Sequence, residues 1–373
     1  MKRNGLEGES VMSANTYGFI GLGLIGGSIA RAIREKIPAA RIIAYDVNQD
    51  TLAAAKNSGV ADVTTTSIDD SFAGCDYLFL CAPVQKNDEN LKAVKAVISP
   101  DCLLTDVGSV KASIHHAVKE AGLSAQFIGG HPMAGSERVG FLNSKALLLE
   151  NVYYIITPTE DVAEEKITQY KELVQQLGAI PLILSPEQQD YVAAAVSHLP
   201  HVIAASLVNL VRDSDSQDGV MKMIAAGGFK DITRIASSSP VMWQQICLTN
   251  TENISELLGV YIDSLTRIKA SLDAQDAAAL YSLFDTARIY RDSFTDASSG
   301  PIKKNFTISI DIADKAGALS AIVDLLAKND ISIKNIGISH NREFESGTVC
   351  MEFYNEESVE KARGLLAAYY AVS

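Results

Sequence analysis

The run Gly129-Gly130-His131-Pro132-Met133-Ala134-Gly135-Ser136-Glu137 fixes an imidazole between a glycine and a proline, on backbone with little freedom. An imidazole titrates near about 6.5, which suits it to taking a proton from an alcohol while the carbon-bound hydrogen leaves as hydride. His131 is therefore the candidate catalytic base. Ser109, in Thr105-Asp106-Val107-Gly108-Ser109-Val110-Lys111, is the candidate that orients the imidazole or a substrate hydroxyl, although a serine after glycine also serves as a helix cap. A second cluster runs through Ser197-His198-Leu199-Pro200-His201 and Gly227-Gly228-Phe229-Lys230-Asp231-Ile232-Thr233-Arg234. Arg234 offers a planar fork that matches a carboxylate, with an ion pair to Glu137 or Asp231 as the alternative use. His115, His116 and His340 read as surface or satisfied core histidines.

A third motif binds rather than reacts. Gly21, Gly23 and Gly26 form GxGxxG between an apolar run that ends at Ile20 and a helical pattern that begins near Leu24 and Ile25. The first glycine permits a tight turn, the second lets backbone approach a pyrophosphate, and the third allows helix and strand to pack closely. Asp46 ends the next apolar run, where a carboxylate accepts hydrogen bonds from both adenosine ribose hydroxyls. It would repel a 2'-phosphate, and no arginine follows in Val47-Asn48-Gln49-Asp50, so the expected cofactor is NAD. Cys81-Ala82-Pro83-Val84 follows another apolar run; Ala82 and Pro83 either border the cofactor or form an ordinary strand exit.

These motifs require a scaffold that brings strand ends together. Apolar runs at 17–20, 41–45, 77–81, 102–106, 126–129, 152–157 and 181–184 alternate with amphipathic stretches, the rhythm of a doubly wound parallel sheet in an α/β fold. Residues 17–186 are thus read as a Rossmann-type domain, preceded by a leader over 1–16 that is expected to be disordered. From 187 to 295 the pattern is all helical, and its apolar excess predicts burial against a second subunit, hence a homodimer. A small, polar linker over 296–304 leads to a β-α-β-β-α pattern in 305–373, an α+β domain.

Composition narrows the function. The chain of 373 residues carries 45 acidic and 32 basic residues, a formal charge of -13, which argues against nucleic acid or an anionic membrane as partner. Uninterrupted apolar runs stay well short of the roughly 20 residues of a membrane helix. The 5 cysteines show no metal-ligand spacing, no metal is expected, and the expected location is the cytoplasm.

In order along 17–295, the motifs GLGLIGGS, DVGSVK, GGHPMAGSE, SHLPH and GGFKDITRIASSSPVMW resemble the prephenate dehydrogenases, a tyrosine biosynthetic family that includes arogenate and cyclohexadienyl dehydrogenases. The resemblance implies NAD-dependent oxidative decarboxylation of prephenate to 4-hydroxyphenylpyruvate. It implies that His131 polarises the ring C4 hydroxyl, that Ser109 holds imidazole and hydroxyl, and that Arg234 engages a substrate carboxylate. His201 would lie near the pyruvyl side chain, with Glu137 and Lys230 shaping the charge around the pocket. Arogenate is the alternative substrate, and a non-catalytic NAD and amino-acid sensor is the reading from a different class. The last segment looks like an ACT domain. There Asp314, Gly317, Asn335 and Ile336 correspond to the positions that frame an effector, for which tyrosine is the natural candidate. Ala316 stands where that family often has proline, and a purely structural, dimer-forming role is the alternative.

Overall fold

The computed structural model describes residues 15–83, 86–135, 138–297, 306–313, 317–340, 346–370 and 372. The chain separates into two compact units, Met1–Thr266 and Arg267–Ser373.

The first unit is built on an eight-stranded sheet with the order β3-β2-β1-β4-β5-β6-β7-β8. Its strands are β1 (Thr16–Ile20), β2 (Arg41–Tyr45), β3 (Val63–Thr65), β4 (Tyr77–Leu80), β5 (Leu103–Asp106), β6 (Phe127–Pro132), β7 (Tyr153–Pro158) and β8 (Ile180–Ile183). Strands covered on both faces can be apolar at every position, and β4 and β5 are buried throughout. Successive residues alternate between two cores. Tyr17, Phe19, Ile42, Ala44 and Phe79 enter one, and Ile20, Ile43, Leu78 and Leu80 enter the other. Phe19 stacks on Phe79 with ring centroids 5.0 Å apart.

Two features of this sheet differ from the sequence reading. The edge strand β3 was not anticipated, because Val63-Thr64-Thr65 has neither an apolar run nor two buried faces. β7 runs antiparallel to β6, pairing His131 with Ile155, whereas the other neighbours pair in parallel. A parallel return needs a crossover of a dozen or more residues, usually a helix. Among its described residues the connection from β6 to β7 holds only short 3-10 turns, Phe141–Asn143 and Ala146–Leu149.

Ser185 starts the helical part with a capping box, its hydroxyl accepting from the Gln188 N–H, and Pro186 occupies the first turn. The helix Pro186–Ala193 continues through a π-helical turn, Ala194–His198, into Leu199–Ser214. Together they form one apolar helix, Pro186–Ser214, which by length and composition could cross a membrane. Its uninterrupted apolar runs remain short, as expected, and the helix reaches its hydropathy around interspersed polar residues. Those residues include Gln189, Asp190 and His198, all buried in polar contacts with the rest of the unit. Shorter helices follow at Val220–Ile224, Gly227–Thr233 and Pro240–Thr249, and the division between units falls within Thr251–Asp273.

The second unit contains the helix Ala277–Ala297 and a three-stranded antiparallel sheet, β10-β11-β9, from β9 (Thr307–Ala313), β10 (Ile333–His340) and β11 (Ser346–Phe353). The helices Ala318–Ala327 and Glu356–Leu366 supply Ile322, Leu326, Val359, Ala362 and Leu366 to its own core. This is the β-α-β-β-α order that the sequence pattern predicts.

Candidate active site

The glycine turn is made almost wholly of backbone. Gly21 has φ +97°, a conformation that favours glycine, and a Cβ there would lie 2.9 Å from the Ala82 nitrogen. At Gly26 a Cβ would lie 2.7 Å from the Gly21 carbonyl oxygen and 2.8 Å from the Cys81 Cβ, so helix and strand can meet only over hydrogen. At Gly23 a Cβ would meet nothing within 4 Å. The open glycine is the one expected to face a pyrophosphate. Gly23 also caps the helix Leu24–Lys36 with no side-chain hydrogen bond, leaving the first-turn N–H groups at Leu24 and Ile25 to an anion. Asp46 is held from behind by its own turn, Oδ2 accepting from the Leu22 N–H and Oδ1 from the Asn48 N–H, both at 2.8 Å. A carboxylate has about four lone-pair sites, which leaves capacity for two ribose hydroxyls. The residues present therefore fit a dinucleotide, and with the comparisons below the cofactor is NAD.

Two strands away, β5 and β6 end in a site built of side chains. Lys111 is fully buried. Its ammonium pairs with the Asp106 carboxylate and donates to the Gly130 carbonyl at 2.7 Å. Asp106 also accepts from the Gly108 N–H at 2.9 Å and the Gly130 N–H at 3.3 Å. From the helix Pro186–Ala193, Asp190 accepts from the Lys111 and Ala112 N–H groups at 2.6 and 2.9 Å. Burial draws the Lys111 ammonium below its ordinary pKa, and Asp106 works in the opposite direction. This knot fixes the backbone of Gly130, the residue before His131. Gly129 and Gly130 are small because their neighbours crowd in: a Cβ on Gly130 would sit within 2.9 Å of the Tyr154 and Tyr170 hydroxyls and the Asp106 carbonyl.

The His131 Nδ1 lies 2.9 Å from the Gln189 Nε2, and the same carboxamide donates to the Ser109 carbonyl at 3.0 Å. Ser109 thus connects to the imidazole through its main chain and Gln189. Burial, and next the charge of Lys111, push the His131 pKa down to about 3, so the ring is neutral throughout the physiological range. His115 bonds Thr157 at 2.9 Å and packs edge-on to Phe127, while His116 faces Glu120 at the surface, the satisfied roles expected of them.

The helix Leu199–Ser214, which carries His201, packs against Gly227–Thr233 and the turn Arg234–Ser237 that follows it. The His201 ring stacks on Trp243 with centroids 3.6 Å apart, and its Nδ1 donates to the Ser197 carbonyl at 2.9 Å. In the neutral ring that leaves the Nε2 lone pair for a ligand. Lys230 and Arg234 are exposed. Glu137 and Asp314 lie outside the described residues, as does the side chain of Asn335. In the second unit Gly317, φ +86°, precedes the helix Ala318–Ala327, and Ile336 is an exposed residue of β10.

Several residues here had not been singled out from the sequence. His198 is fully buried, accepts from the Asn250 Nδ2 at 3.2 Å and packs edge-on to Trp243; burial, and next His201, lower its pKa to about 4. Among the described residues, the His198 Nε2, the Trp243 Nε1 and the Gln189 Oε1 are buried without a hydrogen-bond partner. Leaving such atoms unpaired costs about 1–3 kcal/mol each, so they are suited to a polar ligand. Trp243, the sequence's single tryptophan, carried a compositional signal. Lys111 and Asp106 lay inside a quoted motif, but Gln189 and Asn250 gave no local sign.

Comparison with known proteins agrees with this geometry. The family model described as prephenate dehydrogenase, nucleotide-binding domain, matches residues 29–182, and that of the prephenate dehydrogenase dimerization domain matches residues 185–286. Prephenate dehydrogenase of Bacillus subtilis is 36% identical over 350 residues, covering 93% of this chain and 94% of its own. The crystal structure of prephenate dehydrogenase from A. aeolicus, solved with hydroxyphenyl propionate and NAD+, superposes with a TM-score of 0.73 at 32% identity, covering 76% of this chain and 100% of that one. Arogenate dehydrogenase of Synechocystis gives a TM-score of 0.67 at 26% identity over 75% of this chain and 99% of that one. With the glycine turn, the buried lysine platform and the histidine pair all present, the chain belongs to the prephenate dehydrogenase family.

Proposed function

We propose that this protein catalyses the NAD-dependent oxidative decarboxylation of prephenate to 4-hydroxyphenylpyruvate, releasing carbon dioxide and NADH. The single observation that carries the reading is His131, held neutral at the end of β6 and bonded through Gln189 to the residue after the β5 turn. NAD, when bound on the glycine turn, supplies the two-electron acceptor. His131 takes up the C4 hydroxyl proton, which it can do because its ring is uncharged at neutral pH. The C4 hydrogen leaves as hydride to that acceptor, the bond from ring to carboxylate breaks to release carbon dioxide, its electron pair completes the aromatic ring, and the C4 oxygen regains the proton from His131 to end as a phenol. Ser109, tied by its carbonyl to Gln189, holds the imidazole and the C4 hydroxyl in this reading. Arg234 meets a substrate carboxylate, His201 the pyruvyl side chain, and Lys230 with Glu137 the outer charge; two substrate carboxylates require such cations in a protein of net charge -13.

The assay is NADH formation with prephenate and with arogenate as separate substrates. Turnover of prephenate is expected, and no NADH with either would leave the sensor reading in its place. Arogenate is the second reading because of the likeness to the Synechocystis arogenate dehydrogenase.

The working division of the chain is a leader over 1–16, an NAD domain over 17–186, a helical domain over 187–295, a linker over 296–304 and an ACT-like domain over 305–373. Exposed Leu210, Met223, Leu248 and Val260 on the helices favour a homodimer, to be read by light scattering. The apolar helix Pro186–Ser214 is then the core of that dimer and spans no bilayer. Unpaired cysteines, two of them buried, fit a reducing cytoplasm. Tyrosine is the proposed effector of the second unit, bound near Asp314, Gly317, Asn335 and Ile336; unchanged turnover on adding tyrosine would remove that proposal.

A further inference from the structure

Gln189 is wholly buried, yet it belongs to neither the cofactor turn nor the substrate cations. It lies 80 residues from Ser109 and 58 from His131 along the chain, and its carboxamide nitrogen touches both, at 3.0 and 2.9 Å. The Ser109 carbonyl can only accept, so the end of the carboxamide facing it is the NH2 group. The second hydrogen of that NH2 then points at the His131 Nδ1, which must accept it through its lone pair.

We propose that Gln189 is a positioning residue that decides which nitrogen of His131 carries the proton. At rest the neutral ring is protonated on Nε2 and presents a donor. A group that takes up a hydroxyl proton must present a lone pair instead, so the resting tautomer is the unreactive one. The Gln189 Oε1, which has no hydrogen-bond partner among the described residues, supplies the alternative. Turning the carboxamide over places this oxygen on Nδ1 as an acceptor. Nε2 releases its proton to water and Nδ1 takes one up, so the ring stays neutral and its Nε2 lone pair faces the substrate. The exchange gives up the bond to Ser109 and turns Oε1 toward that carbonyl, a cost that substrate binding must offset. The ionisable neighbours, Lys111 and Asp106 at the strand ends and Asp190 and His198 on the helix, do not bond the ring nitrogens directly. The choice of tautomer falls to Gln189.

The inference rests on the proposed role of His131, but its first test needs no turnover. Ring nitrogen-15 NMR of histidine-labelled protein without substrate, assigned with His131→Asn, should show His131 protonated on Nε2; a ring protonated on Nδ1 overturns the proposal. Gln189→Glu replaces the amide with a group that only accepts, so Nδ1 protonation should replace Nε2 protonation. The added carboxylate should also raise the imidazole's basicity by on the order of tenfold, moving the acid limb of kcat/KM up by about one pH unit. Gln189→Met, apolar and of similar size, should mix the two tautomers and lower kcat about tenfold, the equivalent of about 1.4 kcal/mol, with KM and NADH affinity little changed. If both variants keep the parent tautomer and pH profile, Gln189 is only packing and the proposal fails. A parent enzyme that turns over neither prephenate nor arogenate would instead count against the proposed function while leaving the tautomer result intact.

Discussion

The cofactor turn and the imidazole platform leave strands of one sheet, two places apart, and they are constructed on opposite plans. Around Gly21, Gly23 and Gly26 the binding surface is main chain, and its specificity comes from hydrogen atoms where side chains would be. Around His131 the work falls to side chains: Lys111, Asp106, Asp190 and Gln189 converge from β5, its loop and a helix that begins more than fifty residues later, and they hold the main chain of Gly108, Ser109, Lys111, Ala112 and Gly130 in place. The first plan is stiff and local. The second is stiff only while every charge has its partner, because an ion left alone in the interior loses far more than a surface pair ever contributes.

The sharpest way to break the platform is Lys111→Met, which strands the Asp106 carboxylate in a buried site. Loss of one partner of a buried pair costs about 3–5 kcal/mol, and urea unfolding should show it; a change below about 1 kcal/mol would mean that the pair is dispensable for folding. His131→Asn comes next. It should keep the fold and the NADH affinity and lower kcat by about 10²- to 10⁴-fold, as loss of a proton-transfer group does; full turnover would remove His131 from the chemistry. The glycine turn divides more finely. Gly26→Ala drives a Cβ against the Gly21 carbonyl and should weaken both stability and NADH binding, whereas Gly23→Ala meets no protein atom within 4 Å and should leave unfolding unchanged. Its NADH affinity should nevertheless fall about tenfold, or about 1.4 kcal/mol, in a fluorescence titration. Equal effects of the two alanines would mean that the open glycine does not face the cofactor.

The smallest effect is on pH. His131 and His198 titrate near 3 and 4 in the folded chain against about 6.5 unfolded, so the unfolded state binds more protons between those values. Their contribution to stability is complete above about pH 6.5 and declines as pH falls through that window. The melting temperature of the parent should therefore drop more steeply from pH 6.5 to 4 than that of the His131→Asn, His198→Asn double variant. Parallel slopes would show that other groups govern acid unfolding.

The same contrast explains what could be read from the sequence. The cofactor turn was legible because each of its requirements falls within six residues and is met by a residue type, glycine, whose reason for being there is conformational. Most of the sheet was legible because strands such as Tyr77–Leu80 are apolar along their whole length. Val63–Thr65 was not, since a short polar edge strand differs little from a loop, and neither was the reversal of β7, which depends on what its connection lacks. Within the platform His131 could be found from its rigid neighbours. Gln189 could not, because its partners stand 58 and 80 residues away and a glutamine in the second turn of a helix has an ordinary place in solvent. Long-range polar partners leave no periodicity behind.

The π-helical turn Ala194–His198 has a consequence for how this protein can change. A π turn holds one residue more than the regular pitch, and each residue advances an α-helix by about 100°. Gln189 precedes that surplus residue and His201 follows it, on one unbroken helix. Deleting a single alanine from Ala193-Ala194-Ala195 would let the helix relax to regular pitch, and it would remain a good helix. It would also leave the His201 ring close to its place on Trp243, because the surplus residue is already absorbed within the one wide turn. The same deletion from a regular turn of this helix would swing His201 by about 100°, so between Gln189 and His201 the π turn is the one place where the helix can change its count and keep its register.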